Sequence, residues 1–299
     1  MNKENISSVF KTLQSDICSG LELMDGKALF RSDIWDRAEG GGGRTNTIVN
    51  GAILEKGGVA FSSVYGPVSD AMRKQLGMAE GFFFATGISI VLHPINPHIP
   101  IIHMNIRYFE LDNGTYWFGG GIDLTPHYIV KEQATLFHHR LKSICDEFDT
   151  EFYQKHKSWA DEYFFIPHRG ESRGIGGIFF DHLSELNSTL TKEQLFSYCK
   201  SLASSFVSIY SEQVMLGKDL IYTDEHLAWR NLRRGRYVEF NLVHDRGTKF
   251  GLYSGGRTES ILMSLPPLAN WEYDYKPVEG SKEEETLSLL KLKNKWLSD

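Results

Sequence analysis

Apolar residues recur along the chain in two periods, and the switches between them divide it into elements. Ile6, Phe10, Leu13, Ile17 and Leu21 fall at helical spacing, so the first segment is an amphipathic helix with a core-packing face. From Arg44 to about Phe109, TNTIVNGAILE, GVAFSSVYG, GISIVLH and IIHMNIRYF read as strands, the second and third separated by a short helix near Ser69 to Leu76. TYWFGGGIDL follows across Asp112-Asn113-Gly114, a hairpin turn because Asn and Gly tolerate positive φ. One long helix is predicted from about Glu132 to Phe164, with Phe137, Leu141, Ile144, Phe148 and Phe152 on one face. Thr191 and Gln194 form a capping box for a second, which carries Leu195, Cys199, Leu202, Phe206 and Ile209. A short third helix ends at Gly235. RYVEFNLVHD and TKFGLYSG then read as strands around the turn Asp245-Arg246-Gly247, and RTESILMSL as another before Pro266-Pro267. Ser281 and Glu284 cap a final amphipathic helix. Sequential strands joined by short turns, with helices inserted as blocks and no linker or repeat, predict one α+β domain over residues 1–299, built on a large, mostly antiparallel sheet.

Composition narrows the class. A chain of 299 residues can bury a sizeable core. Lys and Arg total 32 against 38 Asp and Glu, so the formal net charge is −6, and a nucleic-acid binder working through its global field is disfavoured. Any anionic ligand is then held by local cations. The three cysteines, Cys18, Cys145 and Cys199, lack C-x-x-C spacing, which excludes a disulfide framework and a thiolate zinc site. The most apolar run, Phe82 to Leu92, is shorter than the roughly 20 residues a membrane span needs, so no stable membrane insertion is expected. MNKENISSVFKTLQSD carries acids early and no signal pattern, and the expected location is cytoplasmic.

The strand pattern itself points to chemistry. Side chains alternate along a strand, so His103, Asn105 and Arg107 project together while Ile102, Met104 and Ile106 project oppositely. Ser89, Val91 and His93 share one side of GISIVLH in the same way. Such a face is either a half-solvated sheet surface or a site, and His, Asn and Arg together offer acid/base, amide and carboxylate-binding chemistry. On the long helix His138 lies near the apolar stripe and His139 nearly opposite it, so only His138 reaches the interior. His168 sits in PHRGESRGIGG, read as a Gly-rich loop that also supplies Arg169 and Arg173. Four histidines can ligate a metal, yet no H-E-x-x-H or other short-spaced signature exists. Of Arg230, Arg233, Arg234 and Arg236, some serve the dipole of the short helix's last turn. Arg107, Arg173, Arg246 and Arg257, on separate strands and loops, with Arg246 and Arg257 at strand ends, suggest a pocket for several carboxylates. The glycine clusters match no phosphate loop and instead permit close backbone approach to a flat ligand, or bulges in a bent sheet.

Together, GGGGRTNTI, HPINPHIPIIHMNIRYFE, WFGGGIDLTP, DEYFFIPHRGESRGIGGIFFD, RRGRYVEFNLVHDRGTKFGL and GGRTESILMSLPP resemble the oxygen-dependent coproporphyrinogen III oxidase family, over nearly the whole chain from about Gly40. The resemblance implies a homodimer, with an interface around residues 237–272, of subunits whose antiparallel sheet is flanked by helices on both faces. It also implies oxidative decarboxylation of the ring A and B propionates of coproporphyrinogen III to vinyl groups, giving protoporphyrinogen IX, carbon dioxide and hydrogen peroxide. Molecular oxygen is then the co-substrate and no organic cofactor takes part. Carried over by motif, the substrate contacts are Ser89, Asn105, Ile106, Arg107, Asp123, Arg173, Gly255, Gly256 and Arg257, and the catalytic group is His103 as proton donor with Asp245 and Arg246 as an acid-base pair. His93, His103, His138 and His168 match histidines proposed as ligands of a divalent metal, a role that is disputed. His127 and His244 stand where the family pattern leads one to expect an aromatic residue. The alternatives are a metal-dependent oxidase or hydrolase using the four histidines, and a tetrapyrrole carrier without catalysis.

Overall fold

The computed structural model describes residues 1–70, 72–73, 80–253, 256–291 and 296–297. Its frame is a seven-stranded sheet in the order β1-β2-β3-β4-β5-β6-β9, every neighbouring pair antiparallel. The strands are β1 (Arg31–Asp36), β2 (Gly41–Val49), β3 (Leu54–Pro67), β4 (Phe82–Pro94), β5 (Ile101–Leu111), β6 (Tyr116–Thr125) and β9 (Gly176–Leu183), and β7 (Phe165–Ile166) pairs with β8 (Glu171–Ser172) apart from the sheet. The expected fold class holds. Two strands of the main sheet were not legible: β1 is an exposed edge whose polar RSDIWD shows no alternation, and β9 begins in the last two glycines of the segment read as a Gly-rich loop and runs on through IFFDHL, where no element was predicted. The β5–β6 hairpin turns as expected, with Gly114 at φ 85°. The predicted helix near Ser69 to Leu76 falls partly outside the described residues; Asp70, Met72 and Arg73 are helical.

One face of the sheet carries the main core. Helices α1 (Lys3–Asp25) and α4 (Lys192–Gly217) pack across β3 to β6, and α2 (Lys131–Asp146) lies against α4. The apolar stripe Ile6, Phe10, Leu13, Ile17 and Leu21 is buried there, as its spacing requires. The Thr191 capping box forms, Thr191 Oγ1 accepting from Gln194 N at 3.4 Å while Gln194 Oε1 accepts from Thr191 N at 2.9 Å. The single long helix predicted to Phe164 is instead two, α2 and α3 (Phe152–Tyr163). Phe148 N and Asp149 N both turn back to Cys145 O, and Asp149 Oδ1 takes the N–H of Glu151, so the ladder is broken between them.

The larger correction concerns the C-terminal third, where the expected strands are helical. Helix α5 (Asp224–Glu239) runs through Gly235, continues into a π-turn (Phe240–His244), and is followed by α6 (Arg246–Tyr253), α7 (Thr258–Leu262) and finally α8 (Lys282–Leu290), which Ser281 caps as predicted. Trp229, Arg233, Tyr237, Phe240 and Asn241 are all buried, a helical stripe that the alternation of Tyr237, Glu239 and Asn241 had masked. Gly235 is not a stop; a Cβ there would lie 2.4 Å from Asn270 O, so the glycine admits a neighbouring chain segment. This helical segment covers the second face of the sheet. Thr45 Oγ1 meets Ser260 Oγ at 2.8 Å, Lys56 Nζ donates to Leu265 O at 2.7 Å, and Met263 fills the space over Gly58. Cys18, Cys145 and Cys199 are free and buried, and no helix among the described residues is long and apolar enough to cross a membrane.

Candidate active site

The second face is apolar at its two ends and polar between them. Met72, Phe83, Phe109 and Phe250 pack at one end, and Val91, Ile101 and Tyr237 at the other. Between them the register builds three cross-strand rows: Gly87, Arg107 and Gly119; Ser89, Asn105, Gly121 and Phe179; Val91, His103, Asp123 and Gly177. Ser89, His103, Asn105 and Arg107 are partly exposed, whereas Ile102, Met104 and Ile106 are buried in the main core on the other face. The predicted alternation is therefore observed. It also means that Ile106, expected among the substrate contacts, points its side chain away from this face.

At the Val91 end of this face, in the row of His103, lies a buried ion pair. Asp123 and Arg173 are each 2 % exposed, with Arg173 Nη2 2.6 Å from Asp123 Oδ2 and Arg173 Nη1 donating to Asn241 Oδ1 at 2.9 Å. The guanidinium is enclosed by the rings of Phe164, Phe240 and Tyr237, at 4.3, 4.6 and 5.0 Å. Asp123 Oδ1 meets His103 Nδ1 at 3.1 Å. Burial pushes the Asp123 carboxyl up, but the charge of Arg173 and the hydrogen bond to His103 more than offset it and hold the group below the usual carboxylate range. An ionised Asp123 fixes His103 with Nδ1–H toward it and leaves Nε2 for other partners.

The other arginines of the expected pocket, with Arg107, lie on three different elements. Arg107 Nη2 pairs with Asp181 Oδ2 at 2.6 Å, and Arg257 Nη2 with Asp33 Oδ2 at 2.5 Å. Arg246 and Arg257, read from sequence as strand-end residues, instead begin α6 and immediately precede α7. Gly256 donates its N–H to Gly251 O at 2.8 Å; Gly255 lies outside the described residues.

Asp245 is not in a turn between two strands. It follows the π-turn and caps α6, Oδ2 accepting from Thr248 N at 2.6 Å, while Oδ1 accepts from the Tyr163 hydroxyl at 2.8 Å. Tyr163 stacks on Phe179 at 4.2 Å and 11°, which ties Asp245 to the row containing Asn105 and Ser89. Burial and then the charge of Asp245 push the Tyr163 phenol up, so it stays protonated as a donor. Tyr163, Asn241, Asp33 and Asp181 were not singled out from sequence. Tyr163 and Asp181 lie within the long motif DEYFFIPHRGESRGIGGIFFD, but no spacing rule distinguishes them there.

The four histidines considered as metal ligands are not brought together. His93 is buried with Nε2 2.8 Å from Ser264 O, and His138 is buried with Nε2 on Ile175 O and Nδ1 on the Tyr153 hydroxyl, both at 3.0 Å. Burial drives each down to about 3, so both are neutral. His139 is exposed, as its helical position predicts. His168 bonds His244 Nε2 at 2.9 Å and Glu239 Oε2 at 2.8 Å. Each ring is thus committed to a different protein neighbour. Among the described residues no group of three or more His, Cys, Asp or Glu side chains is arranged to hold a metal. His127, the other unexpected histidine, is buried with Nδ1 on Pro97 O at 3.2 Å. The four arginines some of which were assigned to a helix dipole all form ion pairs: Arg233 with Glu171 and Arg234 with Glu55, both at 2.6 Å, Arg236 with Glu239 at 3.1 Å, and Arg230 with Glu55 at 3.4 Å.

Comparison with known proteins agrees with the motif resemblance. The family model described as coproporphyrinogen III oxidase matches residues 5–296. The chain is 46% identical over 310 residues to the chloroplastic oxygen-dependent coproporphyrinogen-III oxidase of Glycine max, covering 99% of this chain and 80% of that one. It is 44% identical to the chloroplastic coproporphyrinogen-III oxidase 1 of Arabidopsis thaliana, covering 99% and 79% of the two chains. With the mitochondrial oxygen-dependent enzyme of Homo sapiens the identity is 47%, covering 95% of this chain and 65% of that one.

Proposed function

Because the chain belongs to the coproporphyrinogen III oxidase family, we propose that it is an oxygen-dependent oxidase that converts the ring A and B propionates of coproporphyrinogen III to vinyl groups in haem biosynthesis. Each propionate loses one carbon dioxide and one hydride equivalent, and one O2 takes up those two electrons and two protons as hydrogen peroxide. Two turns give protoporphyrinogen IX. The observation that carries this reading is the polar strip His103, Asn105 and Arg107, set between apolar ends of the sheet face and bordered on that face by the buried Asp123–Arg173 pair. An electron-rich macrocycle of four pyrroles with carboxylates at its rim needs apolar contact, local cations and proton acceptors, and that strip and its borders supply all three.

In this reading Arg107 and Arg257 bind propionates, and Ser89 and Asn105 offer hydrogen bonds to the bound macrocycle. Asp245 accepts the pyrrole N–H groups and removes a pyrrole proton, so that the ring can give an electron to oxygen. Each Asp245 oxygen keeps a lone pair beyond the bonds from Tyr163 and Thr248, so acceptor capacity is left for this. Arg246, whose guanidinium lies 5.9 Å over the Tyr163 ring, sets the charge beside Asp245 or holds a further propionate. The peroxide so formed on the pyrrole takes a β-hydrogen of the propionate as carbon dioxide leaves, Asp245 returns the pyrrole proton, and His103, oriented by Asp123, donates the second proton with which hydrogen peroxide departs. Arg173 acts through Asp123 rather than on the substrate, because its guanidinium is enclosed. No step is assigned to a metal, since the four histidines do not form a ligand set.

A homodimer through residues around 237–272 and a cytoplasmic location complete the proposal. Leu242, Val243 and Tyr253 in that segment are exposed, which supports a contact there. The plant and human relatives are named chloroplastic and mitochondrial, so cell fractionation is the test of location. The test of function is oxygen uptake with coproporphyrinogen III. Protoporphyrinogen IX and peroxide should form under air and neither without oxygen; binding without oxygen uptake would make the protein a carrier.

A further inference from the structure

Strand β9 departs from regular pairing at one place. Phe118 pairs with Leu183 and Gly120 with Phe180, so the single residue Gly119 faces both Asp181 and His182. This is a β-bulge, and His182 adopts φ 52°, a conformation rarely taken by a residue with a side chain. The bulge is held by His182 stacking on Trp117 at 4.9 Å and 13°, and by Asp181 Oδ1 accepting the N–H of His182 at 2.9 Å. Its effect is to aim the carboxylate of Asp181 over Gly119 toward Arg107. A Cβ at residue 119 would lie 2.7 Å from Arg107 Nε and 2.8 Å from Asp181 Oδ1, so this glycine leaves the space through which the two meet. The pair is accessible: the side chain of Arg107 is 43 % exposed and that of Asp181 21 %.

We propose that Asp181 is a resident carboxylate that occupies Arg107 until a substrate carboxylate displaces it, and so determines which ligands gain the arginine. This rests on the reading of Arg107 as a propionate contact. The exchange gives Arg107 one charge-assisted bond in place of another and leaves the released Asp181 beside the incoming carboxylate, so only a ligand that brings its own carboxylate to this point recovers what it breaks. A neutral or shorter side chain leaves Arg107 on Asp181.

The experiment is steady-state kinetics with coproporphyrinogen III, together with the inhibition constant of coproporphyrin III as a tetracarboxylate that does not turn over. In Asp181→Asn both KM and the inhibition constant should fall about two- to fivefold, the range for releasing a half-exposed ion pair, and kcat/KM should rise. Asp181→Ser, which keeps a small polar group at the bulge, should do the same if the amide disturbs folding. In an Arg107→Ala background neither substitution should alter KM. A merely structural Asp181 predicts the opposite sign, because a loosened Arg107 binds more weakly. If Arg107→Ala raises KM and Asp181→Asn raises it too or leaves it unchanged, the displacement proposal fails and the propionate reading stands. If Arg107→Ala leaves KM unchanged, both fall.

Discussion

Replacing Asp123 by Asn tests the part of the site that is easiest to quantify. The substitution conserves volume, so no cavity forms, and its cost comes from charge. Arg173 is left buried and uncompensated among the Phe164, Tyr237 and Phe240 rings, with Asn241 as its remaining strong partner. Removing one member of a buried ion pair costs about 3 to 5 kcal/mol, and the Asn oxygen still accepts one bond, so the lower end applies, about 3 kcal/mol. At about 2 °C per kcal/mol for a chain of this size, the melting temperature should fall by roughly 6 °C. The pH dependence has a defined sign. Asp123 is held below its ordinary value of 3.8, so its contribution is complete above that value and is lost as pH falls through the lower folded-state value. The wild type and Asp123→Asn should therefore differ by the full amount at neutral pH and converge in acid. Urea unfolding followed by circular dichroism between about pH 7 and pH 3 reads this directly. A shift under about 2 °C at neutral pH, or a gap that persists unchanged in acid, would refute the reasoning. Because Asp123 also orients His103, kcat should drop in the folded variant while KM changes little.

Asp245→Asn should bind substrate but turn it over about 10² to 10⁴ times more slowly, since Asn keeps the cap on Thr248 and loses the basicity. Melting temperature and kcat measured together check it, and near-normal turnover would move the role of base to His103. Arg107→Ala and Arg257→Ala should each weaken substrate binding roughly ten-fold to over a hundred-fold, the equivalent of about 1.5 to 3 kcal/mol per charge-assisted bond, without loss of the fold. Unchanged affinity in both would place the carboxylate contacts elsewhere. Protein dialysed against chelator should keep full turnover under air, because His93, His138 and His168 are already committed to other protein groups. Activity that is lost on chelation and restored by one divalent ion would falsify this.

How far the chain could be read without its fold depended on whether the informative contacts were local. The alternation in β4 and β5 is a property of any strand half-buried on one face, so the grouping of His103, Asn105 and Arg107 opposite Ile102, Met104 and Ile106 follows from sequence order alone. The caps at Thr191 and Ser281 and the interior position of His138 follow in the same way from helical spacing. The stretch from Tyr237 to Leu262 did not. Its short-range pattern fits both periods, and the helical answer is set by distant partners: Val91 and Ile101 under Tyr237, Phe164 and Phe179 against Phe240, and Asn270 at Gly235. The same holds for the site. Residue types suggested a carboxylate pocket, but the pairing of Arg173 with Asp123, Arg107 with Asp181, and Asp245 with Tyr163 joins positions 50, 74 and 82 residues apart. Motif resemblance marked one member or both of each pair as an expected site residue. Only the sheet register, the bulge in β9 and the π-turn decide which charge faces which, because ion pairing depends on distance and burial, and neither is encoded in local order.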